Sequence, residues 1–335
     1  MRVVFYFRME EVRWSMGDPE LEALRTRFPG VEFVSVEDDD DFPTAIATAD
    51  VFYGFHFPPQ QFAAARQLRW IHSATAGVEA NLFPALVASA VTLTNAAGVH
   101  DVGIPEHCLA MMFAFARNLP IARRLQQARE WNRFTVMTGG TGIRTLAGAK
   151  LAVLGAGAIG TGLTRLAAGL GMEVRVLRRR PDGPAVPGAT AVVGEDLLHE
   201  TLGWADFVVL ALPLTTATRG IIDAAALEAM RASTYLINVG RGELVDDAAL
   251  IDALQSGGLA GAGLDVVSTE PLPATSPYWD LDNVILTPHV SAYRSDFFSH
   301  MLAVFTANLE RWVAGQPLTN VVDKRLGYVV RHGPT

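Results

Sequence analysis

The sequence contains a single cysteine, Cys108, among its 335 residues. An internal disulfide is therefore excluded, and a chain with so few thiols is typical of a reducing compartment. Cys108 lies in the apolar stretch "HCLAMMFAFA", where a thiol usually packs as a small hydrophobic side chain. We expect this thiol to be buried and unreactive.

Basic residues and long apolar runs are also scarce. The chain has 27 Lys and Arg against 35 Asp and Glu, a formal net charge of −8, whereas a nucleic-acid surface needs a basic excess. No apolar run approaches the length that spans a bilayer, and the N-terminal run is interrupted at Arg8 without a signal-peptide pattern. We expect a cytoplasmic protein without a nucleic-acid or membrane partner. The histidines show no metal-site spacing, so no metal is expected.

Half of the residues are hydrophobic, and a chain of this length suits two domains. Short apolar segments alternate with helical ones in two sets. The first set contains "RVVFYF", "VEFVSV", "TAIATADVFYGF", "LRWIHSA" and "VTLTNA", and the second contains "LAVLGAG", "EVRVL", "ADFVVLALP", "TYLINVG", "GAGLDVV" and "VILTPHV". Such alternation predicts the α/β class, with two Rossmann-like domains built on doubly wound parallel sheets.

Two long helical stretches flank the second set of strands. One is predicted from about Ile104 to Gln127, with Pro105 in its first turn, where a missing N–H costs nothing. The other is "DFFSHMLAVFTANLERWVAG", which has apolar residues at helical spacing. We expect this helix to close the chain.

The stretch "LAVLGAGAIG" predicts a phosphate-binding turn between a strand and a helix. Gly155 permits the tight turn, Gly157 lets the backbone approach a pyrophosphate, and Gly160 lets the helix pack on the strand. The N–H groups and positive dipole of the helix N-terminus favour an anion. Because a second strand follows at the right distance, we predict a dinucleotide site at Gly155, Gly157, Ala158, Ile159 and Gly160.

Three arginines end that second strand, in "GMEVRVLRRR". An Asp or Glu at this point would accept hydrogen bonds from the ribose of NAD. Arginine cannot accept them, but its guanidinium matches a phosphate in charge and geometry. We therefore predict NADP as the preferred cofactor and NAD as the alternative. Arg178 and Arg179 are expected to bind the 2′-phosphate, with Arg180 as a third candidate. The alternative is a solvated basic turn without a role in cofactor binding.

Three later segments contain further motifs: "LINVGRGELVDDAAL", "GAGLDVVSTEPLP" and "NVILTPHVSA". Two segments that precede them, "GVHDVGIPEHCLAMM" and "ALPLTTATRGIID", complete the set. Together with the glycine turn they resemble the D-isomer-specific 2-hydroxyacid dehydrogenase family, which includes glyoxylate and hydroxypyruvate reductases. The resemblance implies a cofactor domain, residues 100–286, inserted into a discontinuous flavodoxin-like substrate domain, residues 1–99 and 287–335. It also implies a homodimer formed through the cofactor domain, with an arm at about residue 104 and the following "QQAREWNRF".

The resemblance implies three catalytic residues. Arg241, in "NVGRG", would hold the carboxylate and ketone oxygens of a 2-oxo acid, which a guanidinium can do in one plane. His289, in "TPHVSA", would donate the proton, because histidine titrates near neutrality. Glu270, in "STEP", would hydrogen-bond the imidazole and favour its charged form.

Further contacts follow from the same resemblance. Asp265, in "GLDVV", matches a residue near the nicotinamide or its ribose, and a structural role for it is a close alternative. The other cofactor contacts implied are Pro213, Thr218, Val239 and Gly240. In the first domain the loop "SATAGVEA" would bind the substrate carboxylate through backbone N–H groups of Ala76, Gly77 and Val78, together with Arg241 and His289.

The function expected is an NADP-preferring reductase of a small 2-oxo acid, glyoxylate or hydroxypyruvate, giving the D-2-hydroxy acid. A larger 2-keto acid is the alternative substrate. A dinucleotide-sensing binding protein that recruits partners, as corepressor relatives do, is the alternative from another class. Tyr278, Tyr293 and Arg294 depart from the family pattern, and the sequence assigns them no role.

Overall fold

The computed structural model describes residues 1–8, 13–14 and 16–330. Packing divides the chain into two compact units. Unit 1 comprises Met1–Val99 and Ser295–Thr335, and unit 2 comprises His100–Arg294. The predicted insertion of one α/β domain into another is therefore confirmed. Residues 287–294, which we expected in the first domain, pack with unit 2, where the Asp265 carboxylate accepts hydrogen bonds from the backbone of this segment.

The strands of the described residues are, in chain order, β1 (Arg2–Arg8), β2 (Arg13–Trp14), β3 (Glu32–Ser35), β4 (Val51–Gly54), β5 (Trp70–Ser73), β6 (Thr92–Asn95), β7 (Lys150–Leu154), β8 (Glu173–Leu177), β9 (Ala191–Val193), β10 (Phe207–Leu210), β11 (Tyr235–Asn238), β12 (Gly261–Leu264), β13 (Val284–Leu286), β14 (Val322–Asp323) and β15 (Tyr328–Val329). The α-helices are α1 (Asp18–Arg27), α2 (Phe42–Ile46), α3 (Pro84–Ala88), α4 (Gly103–Ala116), α5 (Leu119–Ala128), α6 (Arg133–Thr138), α7 (Ala158–Gly169), α8 (Leu198–Trp204), α9 (Ala224–Ala229), α10 (Asp247–Ser256) and α11 (Phe297–Val313).

Unit 1 is built on a sheet whose parallel strands run in the order β3-β1-β4-β5-β6, with β2 added antiparallel to β1. This is the flavodoxin-like order. Strands β4 and β5 are buried along their whole length, as expected of a sheet covered on both faces. On one face the ring of Tyr53 stacks on Phe305 of α11 at 4.2 Å between centroids, and Phe5 meets both rings edge-on.

A hairpin follows α11, so the prediction that this helix closes the chain is wrong. Strands β14 and β15 pair antiparallel, and Val322 is buried in the unit 1 core beside the sheet. The backbone N–H of Asn95 donates to the carbonyl of Asn320, at 3.3 Å. These strands have only two residues each, too few to show an alternating pattern in the sequence.

Unit 2 is built on a seven-stranded sheet in the order β13-β12-β11-β10-β7-β8-β9. Every pairing in it is parallel. The chain moves outward from β7 to β9 and then returns to build the other half from β10, so the topological switch lies between β7 and β10. Ligands bind at the carboxyl edge of such a switch point. Strand β9, at the outer edge, was not predicted.

Both faces of the unit 2 sheet are covered, because successive side chains of a strand point to opposite faces. Leu151 and Val153 face one core with α4 and α7, where Cys108 is buried as expected. Ala152 and Leu154 face the other core with α8, α9 and α10.

The helical stretch predicted from about Ile104 to Gln127 is present, but it consists of two helices. Helix α4 ends at Ala116 and α5 begins at Leu119, because Asn118 between them has left-handed backbone (φ 51°). Its side-chain amide donates to the carbonyls of Val136 and Gly139, at 2.8 and 2.9 Å. These contacts bring α6 back onto the break.

Candidate active site

The glycine turn lies at the carboxyl end of β7, beside the switch point. Gly155 has a positive φ of 114°, and a Cβ there would lie 2.4 Å from the carbonyl oxygen of Ala211. A Cβ at Gly160 would lie 1.9 Å from the carbonyl oxygen of Gly155. Neither position has room for a side chain.

The N-terminus of α7 is open to an anion. Gly157 precedes the helix and provides no side-chain cap, and a Cβ at Gly157 would meet no protein atom within 4 Å. The first N–H groups of a helix lack partners within it, and in α7 they belong to Ala158, Ile159 and Gly160. This open space next to uncapped N–H groups fits the pyrophosphate of a dinucleotide.

The arginine cluster follows β8, the neighbour of β7. Arg178 is the first residue after the strand, and its Nη2 donates to the carbonyl of Pro181 at 2.9 Å. Its Nε is buried and no described residue accepts a hydrogen bond from it. Arg179 and Arg180 are exposed. The end of β8 therefore presents cationic groups where an NAD site has a carboxylate.

His289 and Glu270 form a hydrogen-bonded pair. The Nδ1 of His289 lies 2.7 Å from Oε2 of Glu270, and the other carboxylate oxygen, Oε1, accepts from the backbone N–H of Val267 at 3.1 Å. An ionised carboxylate only accepts, so Nδ1 carries the hydrogen. The imidazole Nε2 on the opposite side of the ring remains available, and 48% of the side chain is exposed.

The pKa of Glu270 is lower than the ordinary value of a glutamate. Partial burial by itself would raise this pKa, but the hydrogen bond and charge of His289, the Val267 N–H and the charge of Arg241 outweigh burial. Glu270 is therefore ionised near neutrality and suited to hold a protonated imidazole.

Arg241 follows β11, the strand between β10 and β12. Its Nη1 donates to the carbonyl of Gly240 at 2.7 Å, and its own carbonyl accepts from the side-chain amide of Asn238 at 2.9 Å. A Cβ at Gly242 would lie 1.9 Å from the carbonyl carbon of Val267. The loops that carry Arg241 and Glu270 are thus in backbone contact, and Arg241 is close enough to lower the Glu270 pKa.

Asp265 points into the turn that carries His289. Its side chain is fully buried and accepts from Thr287 Oγ1 at 2.6 Å and from the backbone N–H groups of Val290 and Ser291 at 2.9 and 3.0 Å. Its carbonyl accepts from the N–H of His289 at 2.8 Å. Of the two roles weighed for Asp265, this geometry favours the structural one over contact with the nicotinamide or its ribose.

The remaining predicted cofactor positions lie after β10 and β11. Thr218 donates through Oγ1 to the carbonyl of Pro213 at 2.7 Å and closes that loop, while Pro213 is exposed. Val239 and Gly240 are buried, and the N–H of Gly240 donates to Asn238 Oδ1 at 3.0 Å. The segment after β10 borders the glycine turn, because a Cβ at Gly155 would lie 2.4 Å from the carbonyl oxygen of Ala211.

The predicted carboxylate loop follows β5 in unit 1. Thr75 Oγ1 donates to the carbonyl of Gly77 at 2.6 Å, and the side-chain amide of Asn95 donates to the carbonyl of Ala76. Among the described residues, none accepts a hydrogen bond from the backbone N–H of Ala76, Gly77 or Val78. The carbonyls of this loop are thus held by protein groups, and its N–H groups remain available to an anion.

Sequence reasoning missed three residues that shape the site. The side-chain amide of Asn238 holds the Arg241 loop through both its nitrogen and its oxygen. Thr287 donates to the Asp265 carboxylate, and His107 contacts the Thr287 hydroxyl. Asn238 lies in "LINVG" and Thr287 in "LTPH", but neither short motif indicates the direction of the side chain.

Tyr278, to which the sequence assigns no role, is a core residue whose hydroxyl is hydrogen-bonded. It is 2% exposed, and its hydroxyl donates to Asp247 Oδ1 at 2.8 Å. Ser268 Oγ donates to the other carboxylate oxygen. The loop that carries Glu270 is thereby tied to the start of α10. Tyr293 and Arg294 line a surface cavity of about 450 Å³.

The part of the chain that the structure describes offers neither a metal site nor a membrane-spanning helix. No group of three or more His, Cys, Asp or Glu residues there could hold a metal ion. No helix there is long and apolar enough to cross a membrane.

A glycine turn at the switch point of a parallel sheet, with Arg241, Glu270 and His289 on neighbouring loops of the same edge, defines a dehydrogenase that uses a nicotinamide dinucleotide. The family model for the "D-isomer specific 2-hydroxyacid dehydrogenase, NAD binding domain" matches residues 109–291. This chain belongs to the D-isomer specific 2-hydroxyacid dehydrogenase family and is an NAD(P)-dependent oxidoreductase of that family. The family resemblance in the sequence is confirmed.

Individual relatives agree with this assignment. A glycerate dehydrogenase of Methylorubrum extorquens is 33% identical over 260 residues, which cover 76% of this chain and 79% of the relative. A D-isomer specific 2-hydroxyacid dehydrogenase from Xanthobacter autotrophicus, solved with NADPH and MES, is 30% identical with a TM-score of 0.81, covering 98% of this chain and 99% of the other. An NADPH-dependent glyoxylate/hydroxypyruvate reductase from Sinorhizobium meliloti, solved with NADP and sulfate, is 27% identical with a TM-score of 0.81 and the same coverage.

Proposed function

We propose that this protein reduces a small 2-oxo acid, such as glyoxylate or hydroxypyruvate, to the D-2-hydroxy acid and prefers NADPH. The observation that carries the proposal is the hydrogen-bonded pair of His289 and Glu270, at 2.7 Å, on a loop in contact with that of Arg241. The names of the relatives, a glycerate dehydrogenase and a glyoxylate/hydroxypyruvate reductase, support the substrate class.

The residues have distinct tasks in this reaction. Bound NADPH supplies the hydride that reaches the carbonyl carbon. Arg241 holds the carboxylate and ketone oxygens and stabilises the negative charge that develops on the ketone oxygen. His289 gives its Nε2 proton to that oxygen, while Glu270 holds Nδ1 and favours the charged ring before transfer.

The preference for NADPH rests on the end of β8. Arg178 has a buried Nε without a partner among the described residues, and Arg179 and Arg180 are exposed next to it. Their guanidinium groups would bind the 2′-phosphate that distinguishes NADP from NAD. The glycine turn and the N-terminus of α7 would bind the pyrophosphate.

A panel of 2-oxo acids assayed with NADPH and with NADH tests the proposal. We expect the largest kcat/KM for a two- or three-carbon acid with NADPH. A larger acid as the best substrate would contradict the size assignment, and equal use of NADH would contradict the cofactor assignment. Tight NADPH binding without turnover of any acid would instead favour a dinucleotide-sensing binding protein.

The proposal includes a homodimer formed through unit 2. The stretch from α4 to α6 and the loop after it exposes apolar side chains, which a second copy would cover; they are Phe113, Leu119, Trp131, Phe134, Met137 and Ile143. Trp131 is 100% exposed. Light scattering should give twice the chain mass, and Trp131→Asp with Phe134→Asp should shift it to that of one chain. A monomeric wild type would refute this part of the proposal.

A further inference from the structure

His107, on α4, contacts the buried carboxylate that holds the His289 turn. Its Nε2 lies 3.1 Å from Thr287 Oγ1 and 3.8 Å from Asp265 Oδ1. Thr287 Oγ1 in turn lies 2.6 Å from the same Asp265 oxygen. The side chain of His107 is 21% exposed, and that of Asp265 is not exposed at all.

The contacts of His107, Thr287 and Asp265 fix which group donates in each of these hydrogen bonds. The Asp265 carboxylate accepts from three donors and acts only as an acceptor in these contacts. The hydrogen of the Thr287 hydroxyl must then lie toward Asp265, which leaves its oxygen to accept. His107 is the donor to that oxygen, so its hydrogen lies on Nε2.

Asp265 in turn holds the backbone on which His289 stands. His289 has a φ of +53°, a left-handed conformation that residues other than glycine adopt rarely. On both sides of His289 the chain is tied to one residue, because Asp265 accepts from Thr287 Oγ1 and from the N–H groups of Val290 and Ser291. The orientation of the imidazole toward Glu270 depends on this turn.

We propose that His107 is a positioning residue for proton transfer, which acts through Thr287 and Asp265 to keep the His289 ring against Glu270. The proposal rests on the proposed function, in which His289 donates the proton. His107 does not touch the reacting atoms in this scheme. Besides Asp265, the charged or titratable groups near it are Glu106, Tyr293 and Arg294, which line the same cavity.

The test compares His107→Phe, which removes the donor, with His107→Gln, whose side-chain amide can still donate to Thr287. We expect His107→Phe to lower kcat for reduction of hydroxypyruvate about tenfold, because small misplacements of a catalytic group are costly. The Kd for NADPH, measured by fluorescence, should stay within about twofold. His107→Gln should recover most of the lost kcat. His199→Phe, at an exposed position on α8, is the matched control and should behave as wild type.

The split between kcat and the Kd for NADPH separates positioning from a general loss of stability. His107→Phe should lower kcat without a matching loss of NADPH affinity, whereas a general loss of stability would weaken both. Thr287→Val breaks the same series of contacts at its middle and should show the same split. This variant decides the question if His107→Phe does not fold.

An unchanged kcat in His107→Phe, or an equal loss of kcat in His107→Phe and His107→Gln, would overturn the inference. Failure of the proposed function has a different signature, because it would appear as no turnover in the wild type or as full activity in His289→Ala. Turnover in the wild type, an inactive His289→Ala and a wild-type His107→Phe would refute the positioning role alone.

Discussion

At the scale of single residues, one hydrogen bond decides which nitrogen of His289 can transfer a proton. Because Glu270 occupies Nδ1 of His289 at 2.7 Å, the proton available for transfer is the one on Nε2. The carboxylate is itself held by the N–H of Val267, so the ring is oriented by a group that is also fixed.

His289→Ala should therefore lower kcat for 2-oxo acid reduction by about 10²–10⁴, the usual contribution of general acid catalysis. Binding of NADPH should be nearly unchanged, because His289 lies after β13 and the glycine turn after β7. Steady-state kinetics and fluorescence titration measure the two quantities. Glu270→Gln, which keeps a hydrogen-bond acceptor but loses the charge, should fall between the wild type and His289→Ala. A comparable loss of NADPH affinity in His289→Ala would contradict the assignment.

The arginines after β8 lead to a second prediction at this scale. Replacing Arg178 and Arg179 by Ser should raise the KM for NADPH by tenfold or more while the KM for NADH changes little, since a charge-assisted hydrogen bond to phosphate contributes on the order of 1.5–3 kcal/mol. Arg175→Ser is the control, because Arg175 lies on β8 itself and pairs with Glu200 at 3.1 Å. Equal changes in both KM values would remove Arg178 and Arg179 from cofactor selection.

At the scale of elements, the loop after β12 depends on α10. Tyr278 and Ser268 both donate to Asp247 at the start of that helix, and Glu270 lies on the loop between them. Burial, followed by the hydrogen bond to Asp247 and its charge, raises the pKa of the Tyr278 hydroxyl. The hydroxyl therefore stays protonated and donates.

Tyr278→Phe removes only this hydroxyl and should lower the free energy of unfolding by about 1–2 kcal/mol, because a carboxylate loses a hydrogen bond in a partly buried site. Urea denaturation measures the loss. In an Asp247→Ala background the same substitution should cost much less, since the partner is already absent. Equal costs in both backgrounds would show that packing of the ring, rather than the hydrogen bond, stabilises the loop.

The elements also show which features the sequence predicts well. The strands from β7 to β8 and from β10 to β13 follow from apolar runs bounded by turns, because burial on both faces leaves a continuous hydrophobic pattern. The break between α4 and α5 does not follow, because Pro105 and the apolar spacing favour an unbroken helix. The left-handed Asn118 is stabilised by carbonyls about 20 residues further along the chain, and no local pattern reports such contacts.

At the scale of the whole molecule, each unit contains a buried histidine that affects stability at low pH. His72, between Tyr53, Trp70 and Phe305 in unit 1, is fully buried, and burial lowers its pKa to about 3. In unit 2, burial and then the charge of Arg241 lower the pKa of His100 to about 4, against a smaller opposing effect of Asp101.

Both folded-state pKa values lie below the ordinary value of 6.5, so the unfolded chain takes up protons first as the pH falls. The contribution of neutral His72 is complete above about pH 6.5 and is lost as the pH falls toward 3, by about 2 kcal/mol between pH 7 and pH 5. His72→Phe should flatten this dependence, as measured by denaturant titrations at several pH values. His300→Phe, at an exposed position on α11, is the control and should keep the wild-type slope. A wild-type slope in His72→Phe would contradict the prediction.

The α/β class, the two sets of strands and the glycine turn can be predicted from the sequence alone, as can the motifs that contain Arg241, Glu270 and His289. These depend on spacing over a few residues, which apolar periodicity, glycine and short motifs report directly. Other contacts are visible only in the folded protein. There Asp265 faces the His289 turn, Thr287 donates to Asp265, His107 contacts Thr287, and Tyr278 donates to Asp247. These depend on side-chain directions and on partners far apart in the chain, for which a single sequence contains no local signal.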